Sequence, residues 1–229
     1  MPIPTPPTPT PKTASAPQPT TPSLRTRLRR RPDRGTYEPE SIRAVIDAAS
    51  LCDVAFVADG APRIIPTFYA RLGDELILHG AVANRMLRAL AAGAEACVAI
   101  TCLDGIVLAR SAFRHSMNYR SVVIYGSART IVDPEEKERA FRALIDKLAP
   151  GRWSEVRAPS EAELAQTLVL ALPIHEASAK SRTGPPGDAP DDLARRCWAG
   201  VVPVRTVLGA PIAAPELPGD VALPSYLAT

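Results

Sequence analysis

Short apolar runs separated by two-residue turn signals restrict this chain more than any other feature. Val54 to Ala58 ends at Asp59-Gly60, and Arg63 to Arg71 returns from it. Gly73-Asp74 then leads into Glu75 to His79. Such turns join neighbouring antiparallel strands, because their backbone twist matches that of a hairpin. Ala96 to Thr101 is read as a further strand, with Asp104-Gly105 turning it into Ile106 to Ala109. Tyr119 to Val132, Leu168 to Pro173 and Gly200 to Leu208 are the remaining strand-like runs. Pro66 lies inside the return strand and marks an edge, a bulge or a ligand approach there.

Helices punctuate this pattern without alternating with it. Pro39 opens one whose Ile42, Val45, Ile46 and Ala49 share a face. Arg85 to Ala92 is closed by Gly93. Asp133-Pro134 with Glu136 starts a helix to about Leu148, and Ser160 with Glu163 forms a capping box for a short one. Strands joined mainly by tight turns argue for a mainly β fold, an antiparallel barrel with peripheral helices, and against a doubly wound sheet.

The ends differ in composition. Nine prolines fall within the first 22 residues, and a Pro/Thr tract has little to bury. Arg25, Arg27, Arg29, Arg30, Arg31 and Arg34 follow, either a solvated arm or a contact for phosphate or an acidic surface. Residues 1–34 are therefore expected to be a disordered tail and basic arm, 35–211 the folded domain, and 212–229 an irregular C-terminal tail. No apolar run reaches the roughly 18–20 residues of a membrane span. The N-terminus lacks the apolar stretch of a secretory signal. A net charge of +3 does not point to nucleic acid. Cys52, Cys97, Cys102 and Cys197 form no CxxC pair and are read as small apolar residues in a reducing cytoplasm. The expected location is cytoplasmic.

Three segments carry polar chemistry. In His79 to Met86, a strand end runs into a helix start, where free N–H groups, Asn84 and Arg85 suit an anion. Equally, Asn84 could simply cap the helix, Arg85 could be a surface charge and His79 a satisfied histidine. Ser111 to Gly126 places His115, Ser116, Asn118, Tyr119, Arg120 and Ser121 at the start of an apolar strand. This is either a ligand rim or a polar hairpin with Arg120 in an ion pair. Trp198, in Cys197 to Val204, is a core plug or an aromatic wall beside a planar ligand. Lys180 and Arg182 are further anion contacts or exposed charges. There is no GxGxxG, GxxxxGK[ST], G-x-S-x-G or HExxH. Phosphate-binding features without a strong acid–base set fit a protein whose cofactor carries the chemistry.

Several of these pieces, taken in order, resemble one family. They are Pro66-Thr67-Phe68-Tyr69, His79-Gly80 with Asn84-Arg85, Leu103-Asp104-Gly105, His115 through Val122, Pro150-Gly151-Arg152-Trp153, and Trp198-Ala199-Gly200. From about Gly35 to Pro211 the chain resembles the pyridoxamine 5′-phosphate oxidase-like FMN-binding split barrels, near the branch related to 5-nitroimidazole reductases. The resemblance implies a six-stranded split barrel, a homodimer, and FMN at the subunit interface. It implies that the backbone of Ile65, Pro66, Thr67, Phe68 and Tyr69 lies along the flavin ring. His79, Gly80, Ala81, Asn84 and Arg85 would line the cofactor, with the last two on its phosphate, and Asn118, Tyr119, Arg120 and Ser121 would contribute as well. Trp198 would reach the flavin from the partner subunit, and His79 would donate a proton to the substrate. Met86 replaces the lysine of the oxidase pattern, and no Arg-rich substrate motif follows Trp198, which argues against pyridoxamine phosphate oxidation.

The resulting expectation is an FMN-dependent oxidoreductase passing electrons from a reduced nicotinamide to a small acceptor, including nitroaromatics. Two alternatives share the fold. One is a haem-binding or flavin-storing protein without turnover, with His79 or His115 as the axial ligand. The other is a deazaflavin-dependent reductase.

Overall fold

The computed structural model describes residues 22–227; residues 1–21, the bulk of the Pro/Thr tract, lie outside it. The elements are β1 (Gly35–Thr36), α1 (Pro39–Ala48), β2 (Leu51–Ala58), β3 (Ala61–Phe68), β4 (Ala70–Leu72), β5 (Glu75–Ala81), α2 (Arg85–Ala91) and β6 (Glu95–Leu108). There follow β7 (Ser116–Ser127), β8 (Arg129–Thr130), α3 (Pro134–Leu148), α4 (Glu161–Ala165), β9 (Thr167–Pro173), β10 (Glu176–Arg182) and β11 (Gly200–Pro203). A seven-stranded sheet runs β1-β10-β7-β6-β2-β3, with β11 also on β6; a four-stranded sheet runs β4-β5-β9-β8. Their pairings are antiparallel. The fold is the expected mainly β split barrel, with eleven strands among the described residues rather than six.

Period-two burial explains the closure. Val54 and Phe56 of β2, Val98 and Ile100 of β6, Val122 and Ile124 of β7, and Ala177 and Ala179 of β10 face Leu76, Leu78, Leu170 and Leu172 of the small sheet. Ile42, Val45 and Ile46 of α1 and Leu87 and Leu90 of α2 join this core. The other face of the small sheet, with Ile77, Val169 and Ala171, is covered by Ala140 and Leu144 of α3. Each of the larger side chains among these contributes about 1.5–3 kcal/mol on burial, and the small sheet is buried on both faces. Asp133 and Ser160 cap α3 and α4 as the sequence predicts.

The chain passes from the large sheet to the small one at Tyr69. Its ring is wholly buried and its hydroxyl lies 2.5 Å from the Ile46 carbonyl and 3.0 Å from that of Ala49. Lys147 Nζ sits 3.6 Å from the ring centroid and donates to the same Ile46 carbonyl at 3.0 Å. Burial lowers the Lys147 pKa to about 8. The end of α1 and the end of α3 are thus tied together over one aromatic ring.

Three expectations are corrected. Asp104-Gly105 is not a turn: β6 continues through it, with a register shift between Leu103 and Gly105. A bulge absorbs the extra residue. Glycine is needed because a Cβ at 105 would lie 2.9 Å from Val201 Cγ1 on β11. Asp59-Gly60, in contrast, is the turn expected, with φ values of 53° and 71°. Second, Glu176–Arg182 is a full strand in a segment to which the sequence reading assigns none; Lys180 and Arg182, read there as anion contacts or exposed charges, lie on it. Third, residues 22–34 are not a free arm. Thr26 is buried, Arg25 lies 2.6 Å from Glu95, pairs with Glu176 and stacks 4.8 Å over Tyr125, and Lys180 donates to the Arg30 carbonyl. The strip of the outer face formed by Glu95, Tyr125 and Glu176 supplies carboxylates and a ring to the arginine, which is why the arm lies down.

Candidate functional site

Two flanks of the large sheet are left uncovered. The first is β3, an edge strand paired only with β2. Pro62, Arg63, Ile64, Ile65 and Pro66 are all exposed, Ile64 to 62%. Proline is tolerated at 66 because an edge strand has backbone positions that need no ladder partner. Leu51 and Val57 of β2 are exposed beside it. Contiguous apolar side chains on a sheet surface mark an interaction site.

At the hairpin end of this flank, a cavity of about 510 Å³ is lined by Ala58, Asp59, Ala83, Arg85, Arg88 and Ala89. Arg85 is there as expected, but it is paired with Asp59. Both groups are about two-thirds exposed, and such a pair is weak enough for a phosphate to replace the carboxylate. Arg88 has no ion-pair partner among the described residues. Asn84 caps α2, its Oδ1 accepting from the Leu87 N–H at 3.1 Å. Gly80 lies close by: a Cβ there would be 3.1 Å from Leu87 and 3.5 Å from Asn84 Nδ2. Ala81 is exposed.

His79 does not join this group. Alternation along β5 turns it away from Gly80 and Asn84, toward α3. There its ring meets Phe141 edge to face at 6.0 Å. Nδ1 is buried without a hydrogen-bond partner, and burial lowers the imidazole pKa. A neutral, desolvated ring on the α3 face removes the geometric basis for a proton donor beside Asn84 and Arg85. Tyr69 is likewise turned into the core, so only its backbone belongs to the β3 flank; Thr67 and Phe68 are half-buried there.

The polar segment of β7 is largely structural. Asn118 is buried, donates from Nδ2 to the Gly184 carbonyl at 3.1 Å and accepts from Arg182. Arg120 holds Asp104 through two bonds of 2.9 and 2.8 Å, which raises the pKa of its guanidinium. Ser121 donates to the Lys180 carbonyl at 3.3 Å. These contacts fasten β7 to the β6 bulge, β10 and the loop after it. Tyr119 is half-buried, opposite Leu103. Arg120 also borders a cavity of about 600 Å³ together with Leu51, Cys102, Asp104, Arg205 and Thr206.

The second uncovered flank lies where β7, β6 and β11 run side by side. Met117 pairs with Ile106 and Ile106 with Val202, and all three are exposed. One step along, Leu108 pairs with Gly200, against which the Trp198 ring packs: a Cβ at 200 would lie 2.9 Å from it. Trp198 is therefore no core plug; it is 66% exposed. His115 precedes β7 beside this row, and Phe113 is 92% exposed. His115 Nδ1 lies 2.9 Å from the Ser111 carbonyl. A carbonyl only accepts, so Nδ1 carries a proton, and in the neutral ring Nε2 is the nitrogen with the lone pair. The sequence pointed to His115 through the density of polar groups around it, but the exposed apolar row that starts two residues later at Met117 depends on β11, far along the chain.

No group of three or more metal-ligating side chains occurs among the described residues. No described helix is long and apolar enough to cross a membrane.

Comparison with known proteins places this geometry. Residues 38–181 match the family model described as pyridoxamine 5′-phosphate oxidase. The flavocytochrome Anf3 from Azotobacter vinelandii is 38% identical over 92% of this chain and 98% of its own, with a TM-score of 0.85. The FAD and heme binding protein from Mycobacterium smegmatis is 42% identical over 85% of this chain and 96% of its own, with a TM-score of 0.81. A putative 5-nitroimidazole antibiotic resistance protein from Bacteroides thetaiotaomicron shares the fold alone, at 19% identity over 64% of this chain and 85% of its own, with a TM-score of 0.54. No curated protein matches the chain. The matched model spans more than half of the sequence, and the chain belongs to the pyridoxamine 5′-phosphate oxidase family.

Proposed function

We propose that this protein is a flavin-binding redox protein, a dimer of two copies that covers the β3 flank and holds a flavin against it. The observation that carries this reading is the edge strand with Ile64, Ile65 and Pro66 exposed, beside a cavity bearing Arg85 and Arg88. An apolar strip for a planar ring and adjacent cations for a phosphate fit one amphipathic cofactor. Identity of 38–42% to a flavocytochrome and to an FAD and heme binding protein supports it. The flavin supplies reversible acceptance and release of one or two electrons. Arg85, exchanging Asp59 for phosphate, and Arg88 anchor one end. The backbone of Ile65 to Thr67 would lie along the ring, and the apolar residues around it would exclude water. A reduced nicotinamide would be the electron donor and a small molecule the acceptor.

A second cofactor joins the first in this reading. The two relatives' names both pair a flavin with a haem or a cytochrome character, and the β7-β6-β11 flank offers an apolar surface with a free imidazole nitrogen. Residues of the two flanks would then hold a flavin and a haem in one small protein, and together these groups would supply electron transfer. The test is the visible spectrum of protein purified from cells, followed by release and chromatographic identification of any flavin. Bound FMN or FAD at one per chain, with a dimeric mass in solution, is the expected result. A monomer that retains neither flavin, even after incubation with both, overturns the reading; a retained deazaflavin replaces it with the reductase alternative.

A further inference from the structure

We propose that His115 is the axial ligand through which this chain binds a haem iron, with Nε2 as the donor atom; this rests on the flavocytochrome reading above. Three histidines occur in the sequence, and their surroundings differ. His79 is packed against Phe141 with a buried, unpartnered Nδ1, in the hydrophobic layer under α3. His175 is exposed between β9 and β10, next to Glu176, which is already engaged by Arg25 and Ser23. His115 alone combines an exposed ring with a hydrogen bond that fixes its tautomer. A partner on Nδ1 that leaves Nε2 free is how proteins orient a metal-binding imidazole and raise its basicity.

The surface beside it matches a planar macrocycle. His115 immediately precedes Ser116, the first residue of β7 and the partner of Val107, and on the neighbouring pair of strands Leu108 faces Gly200, over which the Trp198 ring packs. The neighbouring row is Met117, Ile106 and Val202. Two strand spacings make this lattice about 10 Å wide, and its rows lie about 7 Å apart. Apolar faces with an aromatic wall suit a porphyrin, whose two carboxylates need cations at the rim. Arg114, next to the ligand, is positioned by a 2.9 Å bond to the Gly187 carbonyl. Arg196, two residues before Trp198, has no ion-pair partner among the described residues. The loop behind His115 is held by Arg110, which bonds Asp188 at 2.6 Å and draws that carboxylate's pKa down. The ligand is thus mounted on a fixed loop.

The experiment is a haemin titration of the full-length chain, read by the Soret band and by electron paramagnetic resonance of the ferric form. Wild type is compared with His115→Ala, His79→Leu and His175→Ala. Losing an orienting partner alone costs about 10–100-fold in metal affinity, so His115→Ala is expected to weaken haemin binding at least about ten-fold. It should also remove the imidazole-ligated signature, and added imidazole should restore that signature. The other two variants are expected to behave as wild type. His115 is exposed, so an unchanged denaturation midpoint shows that the variant is folded. A His115→Ala spectrum identical to wild type, or loss of the signature only in His79→Leu or His175→Ala, overturns the assignment and leaves the flavocytochrome reading standing. Absence of a Soret band in folded wild type overturns both.

Discussion

Two strands of equal standing in the sequence end in opposite environments. In β5, Leu76, Ile77 and Leu78 are all fully buried, because the barrel core covers one face and α3 the other. In β3, Ile64, Ile65 and Pro66 are exposed, because one edge and, at these positions, both faces have no covering element. Both read as apolar runs behind a Gly-containing turn. The difference lies in what packs on them: the closed sheet holds the fold, and the open flank is the surface proposed to take the flavin.

Matched truncations break this comparison most severely if it is wrong. Leu78→Ala leaves a cavity between the sheets and is expected to cost about 2–5 kcal/mol in urea denaturation. Ile64→Ala, at a similar loss of volume, is expected to change stability by no more than about 0.5 kcal/mol in the flavin-free protein. Equal costs would show that the β3 flank is part of the core.

A smaller effect probes the junction between the two regions. Tyr69→Phe removes the hydroxyl shared by the Ile46 and Ala49 carbonyls. Lys147 still donates to Ile46, so the loss is expected to be about 1 kcal/mol. Chemical denaturation measures it, and the flavin spectrum of the variant should be unchanged.

His79 gives a pH-dependent reading of the closed side. Burial holds its pKa in the folded state below the ordinary 6.5. As pH falls below 6.5, the unfolded chain takes up a proton before the folded one does. Unfolding free energy therefore declines from pH 6.5 down to the folded-state pKa, and above 6.5 this contribution is flat. Denaturation midpoints of His79→Leu are expected to lose that slope. A slope that persists unchanged assigns the titration to another group.

The smallest stability change falls on the open side. Arg85→Ala breaks an exposed pair with Asp59 and is expected to alter stability by less than about 0.5 kcal/mol. Flavin binding should nonetheless weaken, since one of the two cations at the cavity is lost. Fluorescence quenching on titration with flavin measures that part.

Much of the closed region was legible in the sequence because its signals are local. Pro39 and Asp133 start their helices where expected, and Asp59-Gly60 turns. Asp104-Gly105 carries the same dipeptide and does not turn, because β11, about a hundred residues later, pairs alongside and demands a residue without a side chain. The strand Glu176–Arg182 was missed because Ala, Ser and Lys have little intrinsic preference for strands; its tertiary partners Ile124 and Val122 decide. At the site, the residue types around Asn84, Arg85 and His115 were visible, but their facing was not. His79 and Gly80 are neighbours in sequence and point to opposite sides of one sheet, which only the pairing register reveals.

The central claim is that the open flank is a binding surface and not a defect of packing. Titration of the full-length chain with FAD and with FMN, wild type against Ile65→Asp, tests it most directly. Ile65 pairs with the core residue Val54 but is 41% exposed at the sheet edge, so the account predicts a variant that still folds cooperatively and loses at least about ten-fold in flavin affinity, the equivalent of about 1.4 kcal/mol. Flavin affinity equal to wild type in a stably folded Ile65→Asp would contradict it.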